Sequence, residues 1–298
     1  MKFIRKYFEN KIEMIYKLIL PNLMIKEIGC SVNEKKNIEN WDQYILASRL
    51  IGPPGAHSRE NILGKIAKFV EKQQCGEDGQ YRLNLPILKR QEILDKVIRV
   101  CGISNEPEYL EGQDWVSIDA FKNGILPAVN IAGKIARESG TILMATGHPE
   151  SLPPAYTYIG KCLVNEGAHL YNPSIYSIPS TKHNQWLGSI CGVTMVFKTT
   201  EVKHTHDDCR LYEILLKEKV RPDLVIADHG MAGAAIRSGI PTIAIVDTND
   251  IELIVASCTY PDRVFPVPLN DNAGIKPTMA LAYYFEHLIY KNKVGCKS

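Results

Sequence analysis

The runs Pro222-Asp223-Leu224-Val225-Ile226-Ala227-Asp228-His229-Gly230 and Thr242-Ile243-Ala244-Ile245-Val246-Asp247-Thr248-Asn249-Asp250 decide the fold. Each holds a short, continuous apolar stretch rich in β-branched residues and bounded by turn residues. That is how a strand buried on both faces of a parallel sheet reads. Working outward, Thr141 to Thr146, His169 to Asn172, Gly192 to Phe197 and Val264 to Val267 read as further strands. Between them, Ala155 to Glu166, Leu211 to Lys219 and Pro277 to Tyr290 read as helices. Repeated strand–helix–strand units imply right-handed crossovers and a covered sheet. The expected class is therefore α/β: over residues 140–298, a Rossmann-like, mainly parallel sheet with helices on both faces.

Before Gly140 the texture differs. Residues 31–139 read as a mainly helical region packed on the sheet domain. Leu88, Ile93, Leu94, Val97, Ile98 and Cys101 mark one helix. Ser117 is placed to cap another, which turns Phe121, Ile125, Val129 and Ile135 inward and carries Pro127 as a potential kink. Residues 1–30 read as an amphipathic helix: Ile4, Phe8, Ile12, Ile15 and Ile19 recur at helical spacing and Pro21 ends the run. Such a face packs on its own domain, lies on a membrane surface, or joins a second subunit, the last being the route to a homo-oligomer. Lys2 and Arg5 suit a signal peptide, but Glu9, Lys11, Glu13 and Lys17 interrupt its apolar run.

Composition narrows the classes. The 298 residues are 45% hydrophobic and 23% charged, with a net charge of +2. That balance gives no electrostatic reason to expect nucleic acid as a partner. No apolar run reaches the roughly 20 residues of a membrane span. The 8 cysteines include no CxxC pair, so reduced, mostly buried thiols in a cytoplasmic protein are expected. Cys191, between Ile190 and Gly192, reads as a buried strand residue.

In open parallel sheets, ligands bind beyond the carboxyl ends of the strands. Four strand ends lead there into stretches that carry imidazoles or carboxylates: Gly147-His148-Pro149-Glu150, then His204-Thr205-His206-Asp207-Asp208, then Asp228-His229-Gly230, then Asp247-Thr248-Asn249-Asp250. Each piece has a bland reading. His204 and His206, two residues apart in extended chain, suit a shared metal ion, but a solvated polar loop reads the same way. Asp228 and Asp247 suit helix caps, and His148 before Pro149 suits a turn. Together they point to a site, because capping does not call for imidazoles. Imidazole with carboxylate is the ligand set of zinc, manganese or iron.

Gly230 and Gly233 open the helix after Asp228, where small residues bring free N–H groups near an anion. No GxGxxG follows a predicted strand, and there is neither a Walker A sequence nor a GxSxG elbow. Asp247-Thr248-Asn249-Asp250 is similar to an aspartyl-phosphate loop, but its second aspartate comes one residue late. In the first half, Gly52 to Asn61 is the one stretch with a functional look. There His57, Arg59 and Asn61 have the reach to meet an anionic substrate, the alternative being a plain turn before a helix over Glu60–Val70.

Taken in order, Ala145-Thr146-Gly147-His148-Pro149, His204-Thr205-His206, Pro222 to Gly230 with Ala232-Gly233, Asp247-Thr248-Asn249-Asp250 and Val267-Pro268-Leu269-Asn270-Asp271-Asn272 resemble a bacterial family known simply as "phosphatase". Arg59-Glu60-Asn61 and the segment from Val100 to Asp114 are similar too, so the likeness covers most of residues 45–290. The chain departs from the pattern at Pro149-Glu150-Ser151, where the family commonly has glycines, and at Met231, where it often has Trp. The resemblance implies a Rossmann-like fold and a phosphate-ester hydrolase of unassigned substrate.

The expected function is a phosphatase dependent on a divalent metal ion of unassigned identity, acting on a small phosphorylated metabolite. His204, His206, Asp228 and Asp247 are the expected metal ligands, with His229 or Asp250 completing the sphere. His148, His229 and Asp250 are the expected catalytic residues, His148 protonating the leaving alcohol. Arg59, Asn61, Gly230, Gly233 and Asn249 are the expected substrate contacts. Two other readings use the same edge: a nucleotide- or sugar-phosphate-binding protein without chemistry, and a lyase or isomerase that holds phosphate as a handle.

Overall fold

In a computed structural model, which describes residues 38–77, 79–173, 176–178, 185–198, 201–207, 211–217 and 221–295, the described elements begin with α1 (Trp41–Ser48), β1 (His57–Ser58), α2 (Arg59–Gln74) and α3 (Arg90–Cys101). There follow β2 (Gln113–Asp114), α4 (Ile118–Arg137), β3 (Thr141–Ala145), α5 (Pro153–Asn165), β4 (His169–Leu170), β5 (Tyr176–Ile178), β6 (Gln185–Ile190), β7 (Val193–Lys198) and β8 (Glu201–Val202). The series ends with α6 (Leu211–Lys217), β9 (Leu224–Asp228), α7 (His229–Arg237), β10 (Thr242–Val246), α8 (Ile251–Thr259), β11 (Val264–Pro268) and α9 (Ile275–Gly295). The amphipathic segment expected over residues 1–30 lies outside the described residues.

The main sheet has the order β11-β10-β9-β3-β7-β6-β5, with β4 also paired to β3 and β8 to β7. Pairs from β11 through β9 to β3, and from β3 to β4 and β7, are parallel. Every residue of β9 and β10 is buried, which is why both strands read as unbroken apolar runs. Helices α4, α5 and α9 pack together as one layer, and α7 and α8 pack with α2, α3 and α6 as another. Gly124 lets α4 come down on the sheet, since a Cβ there would stand 2.4 Å from the Pro266 carbonyl oxygen of β11. From β3 the chain winds outward to β4 and β7, then returns to β9 on the other side of β3. Ligands bind at such a switch point, here between the carboxyl ends of β3 and β9.

Caps hold the helices where the sequence placed them. Ser117 Oγ accepts from Ala120 N–H at 3.1 Å at the start of α4, and Ser58 Oγ accepts from Asn61 N–H at 3.3 Å at the start of α2. Pro127 lies inside α4, which runs from Ile118 to Arg137.

The far side of the sheet differs from the expected parallel series: β5, β6, β7 and β8 pair antiparallel. Gln185 to Ile190 has no long β-branched run, so it carries little strand signal on its own. Its partner β7 and the stacked rings of Trp186 and Phe197, with centroids 4.2 Å apart, hold it in place. This arrangement corrects the reading of Cys191. The thiol residue is exposed, not buried. Cys191 and Gly192 have φ of 51° and 83° and join Ile190 to Val193 as a two-residue hairpin turn.

Candidate active site

The turn after β3 and the end of β9 meet through Asp228, whose side chain makes no cap bond to α7. Instead its carboxylate accepts Gly147 N–H at 3.1 Å and His148 Nδ1–H at 3.0 Å. An ionised carboxylate only accepts, so the ring nitrogen facing it carries the proton and Nε2 of His148 is left as a lone pair. His229 repeats the arrangement: its Nδ1–H donates to Asp250 Oδ1 at 3.0 Å, and its Nε2 lies 3.3 Å from Nε2 of His148. His204 repeats it a third time, with Nδ1 2.6 Å from Glu150 Oε1 and Nε2 3.1 Å from Nε2 of His206. Backing one imidazole nitrogen with a carboxylate orients the other as a metal ligand.

The four rings form one cluster. Centroids of His148 and His204, His148 and His229, and His206 and His229 are 4.4, 4.4 and 4.1 Å apart. His204 and His206 reach the cluster through β8, which folds back along β7 and returns the chain to the end of β3. Thr205 N–H then donates to Gly147 O at 2.9 Å. Only glycine fits at 147, because a Cβ would meet the Thr205 carbonyl oxygen at 2.0 Å.

The ring nitrogens of His148, His204 and His229 lie within 4.8 Å of one another, and His229, Asp250 and Asp271 make a second such group. Asp271 Oδ2 stands 3.5 Å from His229 Nε2 and 3.7 Å from His148 Nδ1. It is buried without a hydrogen-bond partner, and Ser151 Oγ fixes its backbone by donating to Asp271 O at 2.5 Å. His229 has φ of 45°, a conformation that costs a non-glycine residue free energy and collects at functional sites.

Charge in this cluster is unevenly held. Burial alone would lower the His229 pKa, but Asp250, Asp271 and Asp228 outweigh it and raise it to about 10. Burial, then the neighbouring imidazoles of His229 and His204, lower His206 to about 4. Burial, then the carboxylate of Asp247, push the Asp271 carboxyl well up. A proton on His229 thus stands among converging lone pairs and carboxylates. The donor set fits a divalent ion of the kind that takes imidazole and carboxylate together.

Above the cluster is a cleft of about 370 Å³ lined by Ala56, His57, His148, His204, His206, His229, Asn249, Asn270, Asp271 and Asn272. A model of the protein family described as Phosphatase matches residues 36–287. The chain belongs to the Phosphatase family. It is similar to Phosphatase SCO2771 of Streptomyces coelicolor, with 28% identity over 240 residues that cover 77% of this chain and 87% of that protein.

For this Phosphatase-family chain, His148, His204, His206, His229 and Asn249 come together in the cleft, with Asp228 and Asp250 directly behind. Asn61 is tied to that edge by accepting from Asn249 Nδ2 at 3.1 Å. Asp247 faces His57 instead of the imidazole cluster, its Oδ2 3.4 Å from His57 Nε2. Arg59, Gly230 and Gly233 are not brought to the cleft wall. Arg59 is 2% exposed, pairs with Asp114 at 2.8 Å and donates to Ser104 O at 2.5 Å. Gly230 and Gly233 are buried in α7, Gly233 against the ring of Tyr81.

In the sequence reading, Asn270, Asp271 and Asn272 carry the resemblance but are given no role in the site. They come directly after β11, so the rule applied to the other strand ends would have found them. Glu150 stands in the strand-end stretch after β3 and His57 in the Gly52–Asn61 stretch, but neither position tells which side chain it would face. Among the described residues, no helix is long and apolar enough to cross a membrane.

Proposed function

We propose that this chain is a divalent-metal-dependent phosphatase that hydrolyses a small, soluble phosphate monoester. The observation that carries the reading is the set of three imidazoles, His148, His204 and His229, each backed at Nδ1 by a carboxylate and each turning Nε2 to the same cleft. His148, His204 and His229 would hold the ion, with His206 and Asp271 completing the sphere. Asp228, Asp250 and Glu150 then orient the ligands; among the expected metal ligands, Asp228 takes this supporting place and Asp247 leaves the set. When bound, a divalent ion supplies Lewis-acid polarisation of the phosphoryl group and activation of the attacking water.

The charge of the cleft supports the same reading. Among the described residues its lining contains no lysine or arginine, while Asp228, Asp247 and Asp250 are all buried around it. A phosphate dianion would be repelled there unless a cation were present. The amides of Asn249, Asn270 and Asn272 line the mouth and offer donors and acceptors to the hydroxyls of a small substrate, in a volume that suits a metabolite.

The test is phosphate release from a library of phosphorylated metabolites, with protein as purified, after chelation, and after adding back single divalent ions. Release that disappears with chelator and returns with one ion is expected. Tight binding of a phosphometabolite without release would overturn hydrolysis in favour of a binding role. Conversion of the substrate with its phosphate retained would favour a lyase or isomerase.

A further inference from the structure

Resting on the phosphatase reading above, we propose that His57, held by Asp247, is the proton donor to the leaving-group oxygen. Both ring nitrogens of His148 are engaged, Nδ1 by Asp228 and Nε2 by His229, so the acid must come from elsewhere. His57 lines the same cleft, and its side chain is 31% exposed. It makes none of the ring contacts that join the other four cleft histidines.

Asp247 is built to serve His57. It is 2% exposed, and its Oδ1 is occupied by Thr248 N–H at 2.5 Å and Thr248 Oγ1 at 3.2 Å. Its Oδ2 is buried, has no hydrogen-bond partner, and faces His57 Nε2 at 3.4 Å. Contacts of this kind are commonly long before substrate binds and shorten in the working complex. A carboxylate on one ring nitrogen holds the imidazolium and directs the other nitrogen, here Nδ1, to the reacting oxygen.

The frame around His57 is rigid. It pairs with Asp114 in the β1–β2 ribbon. Two residues later Arg59 locks the same Asp114 through a buried ion pair, and the Asn61–Asn249 bond ties the first turn of α2 to the Asp247 loop. Arg59 is therefore a positioning residue for the dyad rather than a phosphate contact.

In the reaction, a water oxygen bonds to phosphorus as the ester P–O bond breaks. The departing oxygen keeps the bonding electrons and takes the proton from His57 Nδ1, leaving as the alcohol. His57 is reprotonated by the proton released from the water, so the net change is ester plus water to alcohol plus phosphate.

The experiment compares kcat/KM of wild type, His57→Asn and Asp247→Asn on an alkyl phosphate and on 4-nitrophenyl phosphate, with metal content measured on each protein. An alkoxide needs a proton to leave, whereas 4-nitrophenolate does not. Loss of a leaving-group acid should lower alkyl phosphate hydrolysis by about 10²–10⁴-fold and leave the aryl ester nearly unchanged, at equal metal content. Asp247→Asn should show the same selectivity with a smaller loss. Equal losses on both esters, no loss on either, or loss of metal from His57→Asn overturns the proposal. Wild-type protein that releases phosphate from neither these esters nor the metabolite library overturns the phosphatase reading itself.

Discussion

His148 Nδ1–H donates to Asp228 at 3.0 Å, and this bond closes the switch point between β3 and β9. The same carboxylate accepts Gly147 N–H, so the turn that presents His148 and the strand that precedes His229 share one anchor. Replacing Asp228 by Asn keeps the shape and removes the charge that fixes the imidazole. We expect a folded protein whose metal affinity falls about 10- to 100-fold, the cost typical of losing a partner behind a ligand. Metal titration followed by phosphate release checks this; unchanged affinity would make Asp228 a structural group only.

Gly147 tests how the His204–His206 segment is held. A methyl group at this position would meet the Thr205 carbonyl oxygen at 2.0 Å, so Gly147→Ala must push that segment away from His148. Circular dichroism should stay native-like while metal occupancy drops. Full occupancy would show that His204 and His206 contribute little to binding.

Arg59 and Asp114 form an ion pair in which both side chains are almost wholly buried. Removing one partner of such a pair leaves an unpaired buried charge, at a cost of about 3–5 kcal/mol. Arg59→Ala should therefore lower the urea midpoint substantially. If Arg59 instead bound substrate phosphate, the variant would keep its stability and raise KM.

The pH response of the metal-free protein comes from His229. Its pKa is raised to about 10 by Asp250, Asp271 and Asp228 against the opposing effect of burial; unfolded, it is about 6.5. A raised pKa gives stability that is complete below about 6.5 and is lost as pH climbs toward 10. The thermal midpoint of chelated protein should fall between pH 7 and 10, and Asp250→Asn should flatten the slope. A wild-type midpoint that rises over this range would contradict the assignment. Metal binding at neutral pH should also release protons, measurable in weakly buffered solution.

Much of this was legible in the sequence. β9 and β10 are buried on both faces, so their composition alone defines them, and the polar residues after them stand out against it. The hairpin from β5 to β7 was not legible, because Gln185 to Ile190 owes its strand state to pairing and to the Trp186–Phe197 stack. Of the site, the residues at parallel strand ends are set by topology. What could not be read was which oxygen faces which nitrogen: Asp228 and Asp247 look alike in sequence, yet one backs His148 and the other His57. Arg59 failed for a related reason, since its partner Asp114 lies on a two-residue strand with no sequence signal of its own.

Metal content bears most directly on the imidazole cluster. Bound metal should be measured by inductively coupled plasma mass spectrometry on wild type, His148→Ala, His204→Ala and His229→Ala, each purified without chelator. Near-stoichiometric metal in wild type is expected, with occupancy falling about 10-fold or more when any one of the three ligands is removed. Equal occupancy in all four proteins, or none in wild type even after incubation with divalent ions, would contradict a metal held by His148, His204 and His229.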